Sequence, residues 1–423
     1  MNKKNNFSEI KLKERILVFS DCYIFGGSEK LISFLLTNEI ILQKFELIFS
    51  YRKHREYEKG LQNENLLNKS NNFPLLLFSN ETLFYQINCT TFPSFVKIFL
   101  KIPLYILEKL NIYSLWNLFV FIRLLHVTKP SIIHINNGGY PGAKSCNILV
   151  IANSIFQKAK IIYQVNNQAR ENNSAFNYYF DCFIAKQVFY FTTASFQSKT
   201  KLVDNRKFNS EKILIVNNCV PLSNIKINRN TICRDLCISL NSFIIVQVGF
   251  LTSRKGQIYA ITAVERLLKM HPTCDIKLIL IGNGEDEEIL KKLIVNSKLD
   301  KNVFLLGYKN NSDDYIEASD IFLLPSIKDE DMPLVLLTAL GSGKPIIATD
   351  LAGISQVIES GKNGILVPNN LDTFVDDLID NIYKLFNDKV LRDYLATNAS
   401  RTYEKFTPTN YGLRLKEIYE SIK

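Results

Sequence analysis

The sequence is poor in residues that coordinate metal or crosslink a chain. It holds four histidines and eight cysteines, and no two cysteines form a CxxC pair. Cys22, Cys89, Cys146, Cys182, Cys219, Cys233, Cys237 and Cys274 are scattered. A structural zinc site or a disulfide framework is therefore not expected, and reduced thiols are. No run of about 20 uncharged apolar residues occurs, so no spanning helix is expected. The first fifteen residues are rich in Lys and Asn, and the "RILVFS" that follows is too short for a signal-peptide core.

What is present is globular. The 423 residues suit two domains, with 47% hydrophobic and 22% charged residues. A formal charge of +10 favours anionic partners, namely phosphorylated small molecules, acidic lipid or nucleic acid. The basic residues do not gather on one stretch with aromatics between them, which argues against nucleic acid.

Short Ile/Val/Leu-rich runs alternate with helical patterns along the chain. The strand candidates are 15–20, 45–50, 74–78, 131–136, 160–165, 188–194 and 212–217, then 243–249, 276–282, 303–307, 321–325, 345–349 and 364–368. Continuous apolar runs separated by helices predict parallel strands buried on both faces. The pattern occurs twice, which predicts an α/β chain of two Rossmann-like doubly wound domains facing a cleft. The division is expected between 1–222 and 223–405, in the irregular stretch 220–242, with a tail helix at about 406–423 packing back on the first domain. Leu413, Leu415 and Ile418 are its apolar residues.

Region 92–127 differs. It is aromatic and aliphatic, with Lys97, Lys101, Lys109 and Arg123 interspersed. Two readings stand: helices buried against the first sheet, or helices lying on a membrane interface.

In open α/β sheets ligands bind beyond the carboxyl ends of strands, so the segments after each strand carry the candidates. After the first comes "DCYIFGGSEKL", where Gly26 and Gly27 permit a sharp turn into a helix whose first amides favour an anion. Past 243–249, Arg254 and Lys255 precede a helix and suit a diphosphate leaving group. Following 276–282, Gly282 and Gly284 form a GxG turn; Glu287 at the third position disfavours a nicotinamide fold. Beyond 321–325 comes "EDMPLVLLTALGSGKP": Glu330, then Pro333 fitted to a first helical turn, with amides around Met332, Leu334 and Val335 aimed at a ligand. Asp329 and Asp331 make a DxD string, read as a solvated acidic loop rather than a metal site.

At these residues the sequence resembles retaining glycosyltransferases of the group 1 type, family four, with the GT-B fold. The resemblance runs through nearly the whole chain and is strongest from Val248 to Pro368, in "VGFLTSRKG", "LIGNGEDEEILKKL", "SDIFLLPS", "EDMPLVLLTALGSGKPIIATDLAG" and "GKNGILVP". It implies transfer of a sugar from a nucleotide-sugar donor, without cofactor or metal, to a glycan or lipid-linked acceptor. It implies catalytic roles for Glu330, Lys255 and Asn166, and donor contacts from Arg254, Gly282, Gly284, Met332, Pro333, Leu334, Val335 and Thr338. Gly26, Gly27 and His134 fall to the acceptor and phosphate side. The expected location is cytoplasmic, with peripheral attachment to the inner face of the cell membrane.

The chain departs from the family pattern at four places. Thr338 stands where a second Glu, seven residues after the first, usually meets the ribose. Phe250 replaces an Arg, Asn166 a His, and Gln356 a Glu. These departures keep a second reading open, a catalytically silent relative that binds a nucleotide or glycan as a partner subunit. A sugar-nucleotide epimerase is a third, weakened by the lack of clear catalytic acids.

Overall fold

A computed structural model describes residues 13–422, apart from 68–70, 173 and 223. The amino-terminal stretch to residue 12, read for a signal peptide, and Ser223 at the expected division lie outside the described residues.

The apolar runs condense into two parallel sheets. The first holds β1 (Glu14–Ser20), β2 (Phe45–Arg52), β3 (Asn72–Leu75), β4 (Ile132–Asn137), β5 (Lys160–Val165), β6 (Tyr190–Thr193) and β7 (Ile213–Ile215), in the order β3-β2-β1-β4-β5-β6-β7. The second holds β8 (Phe243–Val248), β9 (Ile276–Ile281), β10 (Val303–Leu305), β11 (Ile321–Leu324), β12 (Ile346–Thr349) and β13 (Ile365–Val367), in the order β10-β9-β8-β11-β12-β13. Every expected run contains a strand. Ile16, Leu17, Val18 and Phe19 of β1 are all fully buried, as a strand covered by helices on both faces requires. At the sheet edge β3 forms two residues earlier than expected, and Leu76 turns outward.

Both sheets reverse strand order beside their first strand, β1 or β8. Ligands of doubly wound sheets sit at such switch points, beyond the carboxyl ends. The stretch 220–242 is not wholly irregular, because a helix, Arg229–Asp235, buries Ile232 and Cys233 against the second sheet. The tail helix, Pro408–Ser421, packs Tyr411, Leu415, Ile418 and Tyr419 into the core of the first sheet, with Ile422 just beyond. Leu413 lies off that stripe and is exposed, since a helical face repeats every three or four residues.

Region 92–127 forms two helices, Ser94–Lys109 and Ile112–Thr128, bent 63° from one another. The second buries Phe121, Leu124 and Leu125 against the first sheet, whereas no residue of the first is buried. Phe95 and Phe99 are 66% and 72% exposed. Among the described residues no single helix is long and apolar enough to cross a membrane.

Candidate active site

The second domain brings its expected charges together. Lys255 ends a 3-10 turn, Ser253–Lys255, beyond β8. Gly256 follows with φ +73, and a Cβ there would meet the Pro325 carbonyl oxygen at 1.9 Å. A glycine is therefore needed for the turn to rest on the end of β11. Lys255 is buried, and its Nζ donates to Glu330 Oε1. Arg254 Nη1 approaches the same oxygen at 3.4 Å and donates to the Asp329 carbonyl at 3.0 Å. Ser326 Oγ donates to it at 3.0 Å. Three donors thus converge on Oε1, and no described residue donates to Oε2. Lys255 keeps two N–H donors for a ligand.

Beyond Glu330 the chain enters the helix Leu334–Gly341, with Met332 buried. Pro333 is the N-cap rather than a residue of the first turn. The amides of Leu334 and Val335 open the helix and by position lack an intrahelical acceptor. Thr338 Oγ1 donates 3.2 Å to the Leu334 carbonyl one turn back, so its proton is used within the helix and its oxygen can still accept. Gly282 and Gly284 serve the protein itself. A Cβ at Gly282 would meet the Gly249 carbonyl oxygen at 1.9 Å, and one at Gly284 the Leu251 carbonyl oxygen at 2.1 Å. Their bareness lets the loops after β8 and β9 lie against each other, which fixes the approach to Lys255.

Asp329 and Asp331 do not share an environment. Asp329 is exposed, whereas Asp331 is buried beside Ser195, Ser198 and the Ala194 backbone of the first domain. The reading of the pair as a solvated loop is corrected at Asp331. Neither of its carboxylate oxygens has an aligned hydrogen-bond partner. Burial pushes its carboxyl up to about 6, and Glu330 nearby adds to the rise.

In the first domain, the helix Gly27–Leu36 opens at Gly27, with Gly26 as its N-cap. Its amide terminus is already occupied by an acidic side chain of the same helix. Glu29 is buried, and its Oε2 accepts from Gly26 N at 3.1 Å and from Ser28 Oγ at 2.8 Å. A carboxylate reaching back over the first turn is half of a capping box, and the G-x-x-E spacing was its signal in the sequence. Gly27 stands opposite Leu334 of the second domain, whose methyl would lie 4.0 Å from a Cβ at 27.

Asn166 sits just past β5 and half-buried. Its Nδ2 donates to Asn136 Oδ1 at 2.7 Å and to the Asn137 carbonyl at 3.1 Å, and its Oδ1 accepts from Gln164 Nε2 at 2.7 Å. Both amide protons are committed, which leaves Asn166 one acceptor site for a ligand.

His134 does not reach the crevice. It is fully buried mid-strand, with Nε2 2.8 Å from Gln164 Oε1 and Nδ1 2.6 Å from Tyr419 Oη of the tail helix. Gln164 Oε1 can only accept, so Nε2 carries the proton and Tyr419 donates to Nδ1. Burial drives the imidazole down to about 4. The expectation that it faces the acceptor is corrected: a β4 residue points off the sheet face, here into the seam with the returning helix.

The crevice is closed along one side. Gln168 Nε2 donates to the Glu330 carbonyl at 3.1 Å, and Asn218 Nδ2 to the Met332 carbonyl at 2.7 Å. Phe196 N donates to Gln356 Oε1 at 2.9 Å. Ala194 and Val220 share a buried apolar cluster with Met332, Leu336 and Leu337. Gln168 and Asn218 were missed in the sequence, although they closely follow two of the expected strands, 160–165 and 212–217.

Two doubly wound domains with cations and helix amides at their shared crevice define the GT-B class. Residues 228–402, most of the second domain, match the family of glycosyl transferases group 1. The chain is 27% identical over 213 residues to the Escherichia coli UDP-Gal:alpha-D-GlcNAc-diphosphoundecaprenol alpha-1,3-galactosyltransferase, covering 49% of this chain and 54% of that protein. It is 31% identical over 160 residues to the Bacillus anthracis N-acetyl-alpha-D-glucosaminyl L-malate synthase, covering 38% and 41%. The matched stretch thus spans about half the length of these curated relatives. Among solved structures, Anabaena HepE in complex with UDP superposes with TM-score 0.72 at 17% identity, over 96% of this chain and 100% of that one. The lipopolysaccharide outer core galactosyltransferase WaaB gives 0.66 at 18% identity, over 97% and 100%. These likenesses establish the GT-B fold across both domains.

Proposed function

We propose that this protein transfers a sugar, with retention of anomeric configuration, from a nucleoside diphosphate sugar to a hydroxyl of a lipid-linked or cell-surface glycan intermediate. One observation carries the reading: Lys255, Arg254 and Glu330 meet at the mouth of the Leu334–Gly341 helix, inside the crevice between the domains. Lys255, Arg254 and the helix amides neutralise the diphosphate as it leaves. Glu330 Oε2 accepts from hydroxyls of the donor sugar, and Asn166 Oδ1 from a hydroxyl on the acceptor side. The C1–O bond to phosphate breaks, the acceptor oxygen bonds C1 from the same face, and its proton passes to the departing phosphate. This proton route is what the resemblance to retaining enzymes of this fold implies. The convergence of the charges weighs against a silent subunit, despite Thr338, Phe250 and Gln356.

The cations take the place a metal would fill at the leaving group, so transfer is metal-independent. The acceptor reading is supported by the E. coli relative, whose name specifies a diphosphoundecaprenol-linked substrate. It is also supported by the exposed apolar helix Ser94–Lys109, whose lysines suit attachment to an anionic inner membrane face. A thermal-shift screen of nucleotide-sugars, followed by turnover in chelator, tests the reading. A donor is expected to raise the melting temperature and to be consumed at an unchanged rate in chelator. Full dependence on added manganese would overturn metal independence, and no shift with any donor would overturn the reading.

A further inference from the structure

Three successive residues of the donor loop are engaged by the opposite domain. The Glu330 carbonyl accepts from Gln168, which follows β5. Asp331 is buried against Ser195 and Ser198, which follow β6. The Met332 carbonyl accepts from Asn218, which follows β7. Beside them, Gln356 of the second domain takes the first amide of the helix Phe196–Arg206. Asp331 stands near the same helix N-terminus, because Ser195 is that helix's N-cap. The contacts come in strand order, one per strand, and fall on consecutive residues. Within its own domain this loop has no regular structure, and its left-handed Asp329 (φ 54) stands directly before Glu330. The Glu330 and Met332 side chains are held mainly within their own domain, whereas the hydrogen bonds to the 330 and 332 carbonyls come from across the crevice.

We propose that Gln168 and Asn218 are positioning residues of the donor site, so that crevice closure completes the ordering of the loop that carries Glu330 into the Leu334–Gly341 helix. This rests on the donor reading above for its catalytic meaning, although the clamp itself is a property of the ligand-free protein. When the domains part, two carbonyls lose their donors and the loop leading into the Leu334–Gly341 helix is freed. Glu330 keeps its ties to Lys255 and Ser326 within its own domain, but the backbone that carries it and leads on to the helix loses its support from the opposite domain. A donor pocket of this kind is complete only when closed, which limits hydrolysis of donor in the open state.

The test is amide hydrogen exchange on the full-length, ligand-free protein, comparing wild type with Gln168→Ala, Asn218→Ala and the double variant. UDP titration of the same proteins is the second readout. Each lost neutral hydrogen bond is expected to loosen the loop several-fold, so exchange over 326–338 rises about tenfold or more in the double variant. Exchange in the helix Gln257–Met270 and the melting temperature stay near wild type, and UDP binds about tenfold more weakly. Asn218→His, whose ring N–H replaces the lost donor, is expected to restore much of the protection, which a merely bulky structural role would not explain. Unchanged exchange over 326–338 in the double variant overturns the clamp. Failure of wild type to bind UDP, with exchange still raised in the variants, upholds the clamp and counts against UDP as the donor nucleotide.

Discussion

At the scale of single residues, charge and burial decide what each acid does. Glu330 and Asp331 are neighbours in sequence, yet Glu330 is held by two cations and a hydroxyl while Asp331 meets a protein wall. For Asp331 the sign of the pH effect follows directly. Its folded-state value, about 6, lies above the ordinary 3.8, so the native protein binds more protons than the unfolded chain between those values. Its contribution therefore favours folding at low pH and is lost as pH rises through that window, by an amount on the order of 3 kcal/mol. Asp331→Asn is expected to remove this dependence. The melting temperature of the variant should match wild type near pH 4 and exceed it at pH 8. An equal or lower value at pH 8 would mean the carboxylate is stabilised by its surroundings. Glu330 and Lys255 were legible in the sequence, because both stand where a strand ends and a helix begins. The burial of Asp331 was not, since what covers it lies about 130 residues earlier in another domain. His134 was misplaced for the same reason: its ring partners are Gln164 and, 285 residues on, Tyr419.

At the scale of elements, period and exposure separate two helices that composition had joined. Ile112–Thr128 presents one face to the first sheet, whereas Ser94–Lys109 buries nothing. Phe95, Ile98, Phe99, Ile102 and Ile106 of the latter are each about half exposed or more, beside Lys97, Lys101 and Lys109. An apolar surface of this extent rimmed by cations suits anionic lipid. Flotation with vesicles containing phosphatidylglycerol is expected to carry the wild type upward at low salt. Phe95→Ser with Phe99→Ser should cut the bound fraction several-fold without shifting the melting temperature. Equal flotation of the double variant would place the contact elsewhere. The elements were the most readable level of this chain, since thirteen apolar runs became thirteen strands. The edge strand β3 moved because an edge is covered less and its register is set by turns rather than by burial.

At the scale of the whole molecule, the tail helix returns to the first sheet, and the chain crosses between the domains at Val220 and again at Phe406, which share a backbone hydrogen bond of 3.2 Å. Two crossings at one place leave the crevice to open and close about that point, while the loops after β5, β6 and β7 meet the donor loop. The arrangement of two halves was readable from the repeated strand pattern. Their closeness at 330–332 was not, because it depends on side chains that carry no pattern of their own. In the proposed donor site a nucleoside diphosphate is held by Lys255 beside Glu330. Calorimetric titration of UDP, GDP, ADP and dTDP into wild type and Lys255→Ala tests it most directly. At least one is predicted to bind wild type, and to bind the variant about 30-fold or more weakly, as loss of a charged hydrogen bond to phosphate requires. If none binds wild type, or if the tightest binds the variant equally well, the account is contradicted.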